Sequence, residues 1–217
     1  MIDNDRDRIS STEKHESSVK KHLILELLAN KLAYVWNAYV WPSLYKDNTR
    51  GDVHFAMRQI LKIEEGESVL EVGSNMPMYQ EYSKEVGEKG LFVALDLHLQ
   101  IQKKAQEILQ KEEKELNNSP FLEKLLAANG GKMPFTNDSF DVVVANNYNG
   151  DSQDMLKETI RVLRGGGRLG FSFSDKHTAS LCYQMCKQLG LEVGKLMSLR
   201  TDGGGEMGTW VFLGVKR

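Results

Sequence analysis

Two acids stand at the ends of short apolar runs. Val69-Leu70-Glu71-Val72-Gly73 carries the first, and Leu91-Phe92-Val93-Ala94-Leu95 ends in the second, Asp96. Strands buried on both faces of a parallel sheet read as near-continuous apolar runs. Two such strands, each delivering a carboxylate at its C-terminal end, point to a nucleotide-like ligand at the sheet edge, because an acid there can accept both hydroxyls of a ribose. A third apolar run, Val142 to Ala145, is followed at once by Asn146. Tyr148, Asp151 and His177 each follow a predicted strand and are the candidates for proton transfer. His98 lies two residues beyond Asp96 and flanks whatever that acid binds. His54 and Arg58, four apart, read as the solvated face of a helix. Cys182 and Cys186 share the same spacing, which suits core packing on one helix better than a metal or a bridge, so no metal site is expected.

These residues need elements to hold them. After Phe55 to Leu61, a short helix, the chain reads as strand 68–72, crossover helix 79–86 and strand 91–95. A charged helix over 101–116 follows, with Ile101, Ala105, Ile108 and Leu109 facing inward. Residues 121–127 read as an edge strand or a helical turn. Then come strand 142–145, a helix over 155–163 closed by Gly165-Gly166-Gly167, strand 168–173, and a helix over 179–189 closed by Gly190. Segments 193–199 and 209–215 alternate as two final strands. Alternating β and α elements predict a parallel sheet with helices on both faces, and a terminal hairpin adds one antiparallel strand.

The 217 residues make one large domain with an appendage. A chain of that size buries roughly 70% of its unfolded surface and needs no staples. With 41% hydrophobic and 27% charged residues it reads as soluble and globular. A net charge of −2 gives no reason to expect nucleic acid as a partner. No signal-peptide pattern opens the chain and no disulfide framework is visible, so a cytoplasmic location is expected. Residues 1–17 are polar and read as a mobile tail. Residues 18–50 read as a helical cap or lid, and 51–217 as the catalytic-type domain. The cap is aromatic, with Tyr34, Trp36, Tyr39, Trp41 and Tyr45, and Lys20 and Lys21 beside those rings leave a peripheral membrane contact through 18–45 open.

From Asp52 to Arg217 the sequence resembles the class I S-adenosylmethionine-dependent methyltransferases, in the small-molecule and lipid branch related to the ubiquinone and menaquinone methyltransferases. Val69 to Gly73 resembles the family's first motif and Ala94-Leu95-Asp96 its second. Lys132-Met133-Pro134-Phe135 with Ser139-Phe140-Asp141-Val142-Val143-Val144 resembles its K-L-P-F and S-F-D-V-V segment. Glu158-Thr-Ile-Arg-Val-Leu-Arg-Gly-Gly-Gly-Arg-Leu-Gly170 resembles its E-x-x-R-V-L-K-P-G-G-x-L. The resemblance implies a Rossmann-like, doubly wound sheet of seven strands, mostly parallel with an antiparallel last strand. It implies S-adenosyl-L-methionine as cofactor and a small-molecule acceptor. Asp96 would take the ribose and Leu97 the adenine face. Asn129 and Gly130 occupy the place of the family's adenine-edge residues. Glu71, Gly73, Ser74 and Asn75 would face the cofactor's amino-acid end, with Asn146 on the floor beneath its methionine part.

The sequence departs from the family in one loop. Where G-x-G-x-G is usual, it has Gly73, Asn75 and Pro77. Asparagine tolerates a left-handed backbone, but proline fixes its own and supplies no N–H. The loop must take a different path with one donor fewer. Two readings follow: a methyltransferase acting on a small apolar or amphipathic acceptor, or a binding protein of the same fold without turnover. A nicotinamide-dependent oxidoreductase is disfavoured, because Gly73 to Pro77 cannot be read as G-x-G-x-x-G.

Overall fold

The computed structural model describes residues 57–74, 79–99, 103, 106, 123–146, 148, 153–199 and 209–217. The chain divides into two units, Met1–Ser43 and Leu44–Arg217. The expectations for 1–17, for the cap over 18–50 and for most of 101–116 lie outside the described residues, as do Asn75, Pro77 and Asp151.

Residues 57–61 are helical. The elements that follow are β1 (Ser68–Val72), α1 (Tyr79–Val86), β2 (Leu91–Asp96), β3 (Glu123–Ala127), β4 (Phe140–Ala145), α2 (Gln153–Val162), β5 (Leu163–Phe173), α3 (Lys176–Gln188), β6 (Leu191–Val193), β7 (Met197–Leu199) and β8 (Thr209–Lys216). Among the described residues the strands form one sheet in the order β3-β2-β1-β4-β5-β8-β6, with β7 also on β8. The pairs from β3 through β5 are parallel, and β8 runs antiparallel to its neighbours. The expected doubly wound sheet is therefore present.

Side-chain alternation sorts the core onto the two faces of this sheet. Leu70, Val72, Val143, Leu169, Phe171 and Phe173 pack with α2 and α3. Val69, Ala94, Val142 and Val144 pack with Met57, Leu61, Tyr82 and Val86, from residues 57–61 and α1. On the first face Phe171, Phe173 and Phe212 form an aromatic triangle with centroids 5.7–5.8 Å apart. Each ring fully buried there contributes about 1.5–3 kcal/mol through its area. Cys182 and Cys186 are free and buried on α3, as their spacing predicts. The hydrogen bond that the Cys186 thiol gives to Cys182, and then burial, push that thiol far up, so it is inert.

Several element boundaries differ from expectation. Residues 123–127 are a strand, paired in parallel with β2. The three glycines do not close a helix. Leu163 leaves α2 directly into β5 and pairs with Phe140, and the ladder resumes two residues later on β4 but five later on β5, from Val142 opposite Arg168. Gly165, Gly166 and Gly167 absorb the surplus as a bulge, where Gly166 adopts φ 78. The helix before Gly190 starts earlier than expected, because Asp175 caps it by accepting from the Thr178 N–H at 2.8 Å. The predicted strand 193–199 is two short strands interrupted at Gly194, whose N–H donates to Leu213 O at 2.9 Å.

Candidate active site

The connections from β1 to β2 and from β4 to β5 leave in opposite directions, so α1 and α2 cover opposite faces. The topology thus switches between β1 and β4, and the C-terminal ends of those strands are the usual ligand position in such sheets. Glu71 and Asn146 meet there. Glu71 is 3% exposed, and a buried carboxylate needs partners. Ser74 Oγ donates to its Oε2 at 2.7 Å and Asn146 Nδ2 to its Oε1 at 3.1 Å. Ser172 Oγ, from β5, lies 3.5 Å from Asn146 Oδ1. Gly73 adopts φ 71, and a Cβ added to it would meet no atom within 4 Å. Its N–H and that of Ser74 both reach Leu95 O, at 2.8 and 3.1 Å, turning the exit of β1 towards the end of β2.

Asp96 ends β2 and is 7% exposed. Its Oδ1 accepts from the His98 backbone N–H at 2.7 Å and lies 3.0 Å from His98 Nδ1. His98 therefore orients the carboxylate. Leu97 beside it is 64% exposed, an apolar side chain left uncovered next to a buried acid. Beyond β3, Asn129 Oδ1 accepts from the Gly131 N–H at 2.8 Å in a tight turn. A Cβ on Gly130 would lie 3.0 Å from the Met155 side chain of α2, so a larger residue in this turn would press on that methionine.

The structure draws Glu71, Ser74 and Asn146 into one cluster and holds Asp96 at the end of the neighbouring strand. It treats the proton-transfer candidates differently. The Tyr148 N–H donates to Ser172 O at 2.8 Å, but its half-buried ring lies 5.3 Å from Phe171 and 6.0 Å from Phe173, packed against the core on the face opposite Glu71. His177 is exposed in the first turn of α3, beside the cap Asp175. The Thr178 N–H holds the Asp175 carboxyl below its usual range. Among the described residues no group of three or more His, Cys, Asp or Glu could hold a metal.

Two motifs that carry the resemblance work as staples. Glu158 accepts from Arg161 and, through Oε2 at 2.8 Å, from the Met133 N–H. Arg161 also donates to Met133 O, Phe135 O and Asn137 Oδ1, so the pair clamps the segment leading into β4 onto α2. Asp141 accepts from the Ser68 N–H at 2.8 Å and from Arg164 at 2.7 Å, tying the start of β1 to the glycine bulge. Sequence reasoning missed Ser172 and Tyr82, which face the Glu71 cluster, and it misread Arg58. Arg58 is no solvated side chain; it donates to Glu85 from a half-buried position. Only the helical period of α1 and the alternation within β5 could have indicated the first two.

No curated protein matches the chain in sequence. Its structure is similar to an S-adenosylmethionine-dependent methyltransferase from Aquifex aeolicus (17% identity, 74% of this chain and 89% of that chain, TM-score 0.56). It is similar to a precorrin-6y C5,15-methyltransferase from Geobacter metallireducens (15%, 80% and 92%, TM-score 0.61). It is similar too to an S-adenosylmethionine-dependent O-methyltransferase from Thermotoga maritima (15%, 78% and 66%, TM-score 0.58). At these identities the likeness establishes the fold. Residues 53–201 match the ubiE/COQ5 methyltransferase family, which is more than half of the chain. The chain belongs to the ubiE/COQ5 methyltransferase family and is an S-adenosylmethionine-dependent methyltransferase.

Proposed function

We propose that the chain transfers the methyl group of S-adenosylmethionine to a small apolar or amphipathic acceptor, and that it holds the cofactor across the ends of β1, β2 and β4. The observation that carries this is Glu71, a buried carboxylate hydrogen-bonded through both oxygens at the end of β1, with Asp96 at the end of the next strand. The residues present fit the cofactor. Gly73 leaves open space where any other residue would carry a Cβ, Asp96 keeps Oδ2, with its two lone pairs, for the ribose hydroxyls, and Leu97 offers an uncovered apolar face for adenine. Asn129 would donate to the adenine edge from Nδ2. Glu71, Gly73, Ser74 and Asn146 would surround the amino-acid end.

The cofactor supplies the activated methyl group on its sulfonium. The chain has to bind, orient and exclude water, since in-line displacement draws its rate chiefly from positioning. A general base is optional, and with the Tyr148 ring half-buried against Phe171, the exposed His177 is the more accessible candidate. The acceptor class is supported by the aromatic sequence of 18–50.

Calorimetric titration tests the cofactor half. Binding in the micromolar range that weakens about a hundredfold in Asp96→Ala is expected, as for loss of a group that accepts two charge-assisted hydrogen bonds. No binding at millimolar cofactor would sink the reading. Liposome co-sedimentation tests a lipid-borne acceptor: the full chain should pellet and a chain lacking residues 1–46 should not. If neither pellets, the acceptor is a free small molecule.

A further inference from the structure

β5 brings a further polar side chain, Ser172, to the ends of β1 and β4, and it is buried. The register of the central sheet sets its place. Phe171 pairs with Ala145 of β4, and Ser172 pairs with Val211 of β8. Just past the end of β4, the Tyr148 N–H still donates to Ser172 O at 2.8 Å. The Ser172 backbone is thus held from both sides, and a side chain on such a strand is placed more tightly than one on a loop. Residues two apart on a strand share a face. A Cβ on Gly170 would meet Met57 and Leu61, so Ser172 projects from the sheet face that those residues cover, the face of Val69 and Glu71.

Chemistry fixes the direction of each hydrogen bond here. An ionised carboxylate accepts and does not donate. Asn146 must therefore turn its amide nitrogen to Glu71, as it does at 3.1 Å. Its Oδ1, which only accepts, then faces β5, where Ser172 Oγ lies 3.5 Å away with a proton to give. The bonds run from Ser172 to Asn146 to Glu71, and Ser74 donates to the other Glu71 oxygen at 2.7 Å. At 3.5 Å the first link is weaker than an ordinary hydrogen bond. Its effect is directional: a donor beside Oδ1 favours the one facing of the amide that aims Nδ2 at the carboxylate.

We propose that Ser172 is a positioning residue: through the Asn146 amide it sets the Glu71 carboxylate for the amino-acid end of the cofactor. Ser172 itself touches neither cofactor nor acceptor. The inference rests on the cofactor placement proposed above, and it gives β5 a part in a site otherwise built on β1, β2 and β4.

Ser172→Ala removes the donor and little volume. Two ligands separate positioning from general support of the fold: S-adenosylmethionine, and 5′-methylthioadenosine, which keeps the adenosine and lacks the amino-acid end. In calorimetric titrations of the full chain, S-adenosylmethionine should bind Ser172→Ala about three- to tenfold more weakly, the loss of one weak hydrogen bond, while the Kd for 5′-methylthioadenosine stays within about twofold. Ser172→Cys, close in size and a weak donor, should fall between wild type and Ser172→Ala for S-adenosylmethionine. Because the serine acts through the asparagine, Ser172→Ala should add nothing to the loss in Asn146→Ala. Equal losses for the two ligands would show that the hydroxyl only supports the fold and would overturn the proposal, as would an unchanged affinity for S-adenosylmethionine. Losses that add in the double variant would overturn the route through Asn146. If Asp96→Ala weakens both ligands and Ser172→Ala weakens neither, this inference alone falls. If the wild-type chain binds neither ligand, the functional reading falls and takes this inference with it.

Discussion

Asn146 Nδ2 donates to Glu71 Oε1 at 3.1 Å, joining the residue just after β4 to the acid of β1 across 75 positions of sequence. The bond sits where the sheet's two series of connections diverge. It fixes one carboxylate oxygen of Glu71 as Ser74 fixes the other. Asn146→Asp would replace a donor with a second carboxylate. Like charges at such range raise one of the two pKa values, so one proton is then shared by the pair. Cofactor affinity should fall about tenfold near pH 8 and recover in part towards about pH 5, as that proton returns a donor to the site. A loss that does not vary with pH in calorimetric titrations would argue against the Glu71–Asn146 contact.

Arg161 is the clamp on the segment before β4. Arg161→Ala removes the ion pair with Glu158 and donors to Met133 O, Phe135 O and Asn137 Oδ1. Its side chain is 30% exposed, so the cost is discounted from that of a fully buried pair, to about 2 kcal/mol. Urea unfolding should show the midpoint moving with an unchanged slope. Cofactor affinity of the folded variant should stay within about twofold, because the clamp lies away from the Glu71 cluster; a larger change would place the pair in the site itself.

The same pair sets an acid response. Hydrogen bonds from Arg161 hold the Glu158 carboxyl below its usual range, against an opposing effect of burial and with help from the Met133 N–H. The unfolded chain takes up this proton near about pH 4.3, where the folded chain still excludes it. The pair's stabilisation is therefore complete above that pH and is lost as pH falls through the lowered folded value. Stability measured against pH should decline more shallowly below about pH 4.5 in Glu158→Gln than in the wild type. Parallel curves would show that Glu158 titrates normally.

Gly73 and Gly170 are both needed, for different reasons. Gly73→Ala meets no neighbour but places a side chain at φ 71, a cost of about 1–2 kcal/mol in backbone strain. Relief of that strain would swing Ser74 away from Glu71, so cofactor affinity should fall along with stability. Gly170 has no such strain, but a Cβ there would lie 2.5 Å from Met57 Cε. Gly170→Ala should therefore lower the melting temperature through overpacking and leave affinity nearly unchanged. Equal effects of the two variants on affinity would contradict this division.

The sequence by itself determined the strands that carry the site and the acids that end them. Val69 to Val72, Leu91 to Leu95 and Val142 to Ala145 are apolar on both faces, and that pattern suits a central parallel strand and little else. It placed Glu71, Asp96 and Asn146 correctly at strand ends, and the order of its motifs identified the family. Asn75 and Pro77 remain a departure that the described residues do not reach.

Only the tertiary structure decided what the polar side chains do. It made Glu158, Arg161 and Asp141 staples, laid the Tyr148 ring against the aromatic core, and spent the three glycines on a bulge. It also set Arg58, from the helical residues 57–61, on the Glu85 carboxylate of α1. Apolar periodicity is a local property that survives in the sequence. A polar group's role depends on which donor or acceptor arrives from a strand or helix tens of residues away, and that is known only once the register and the facing of the elements are set.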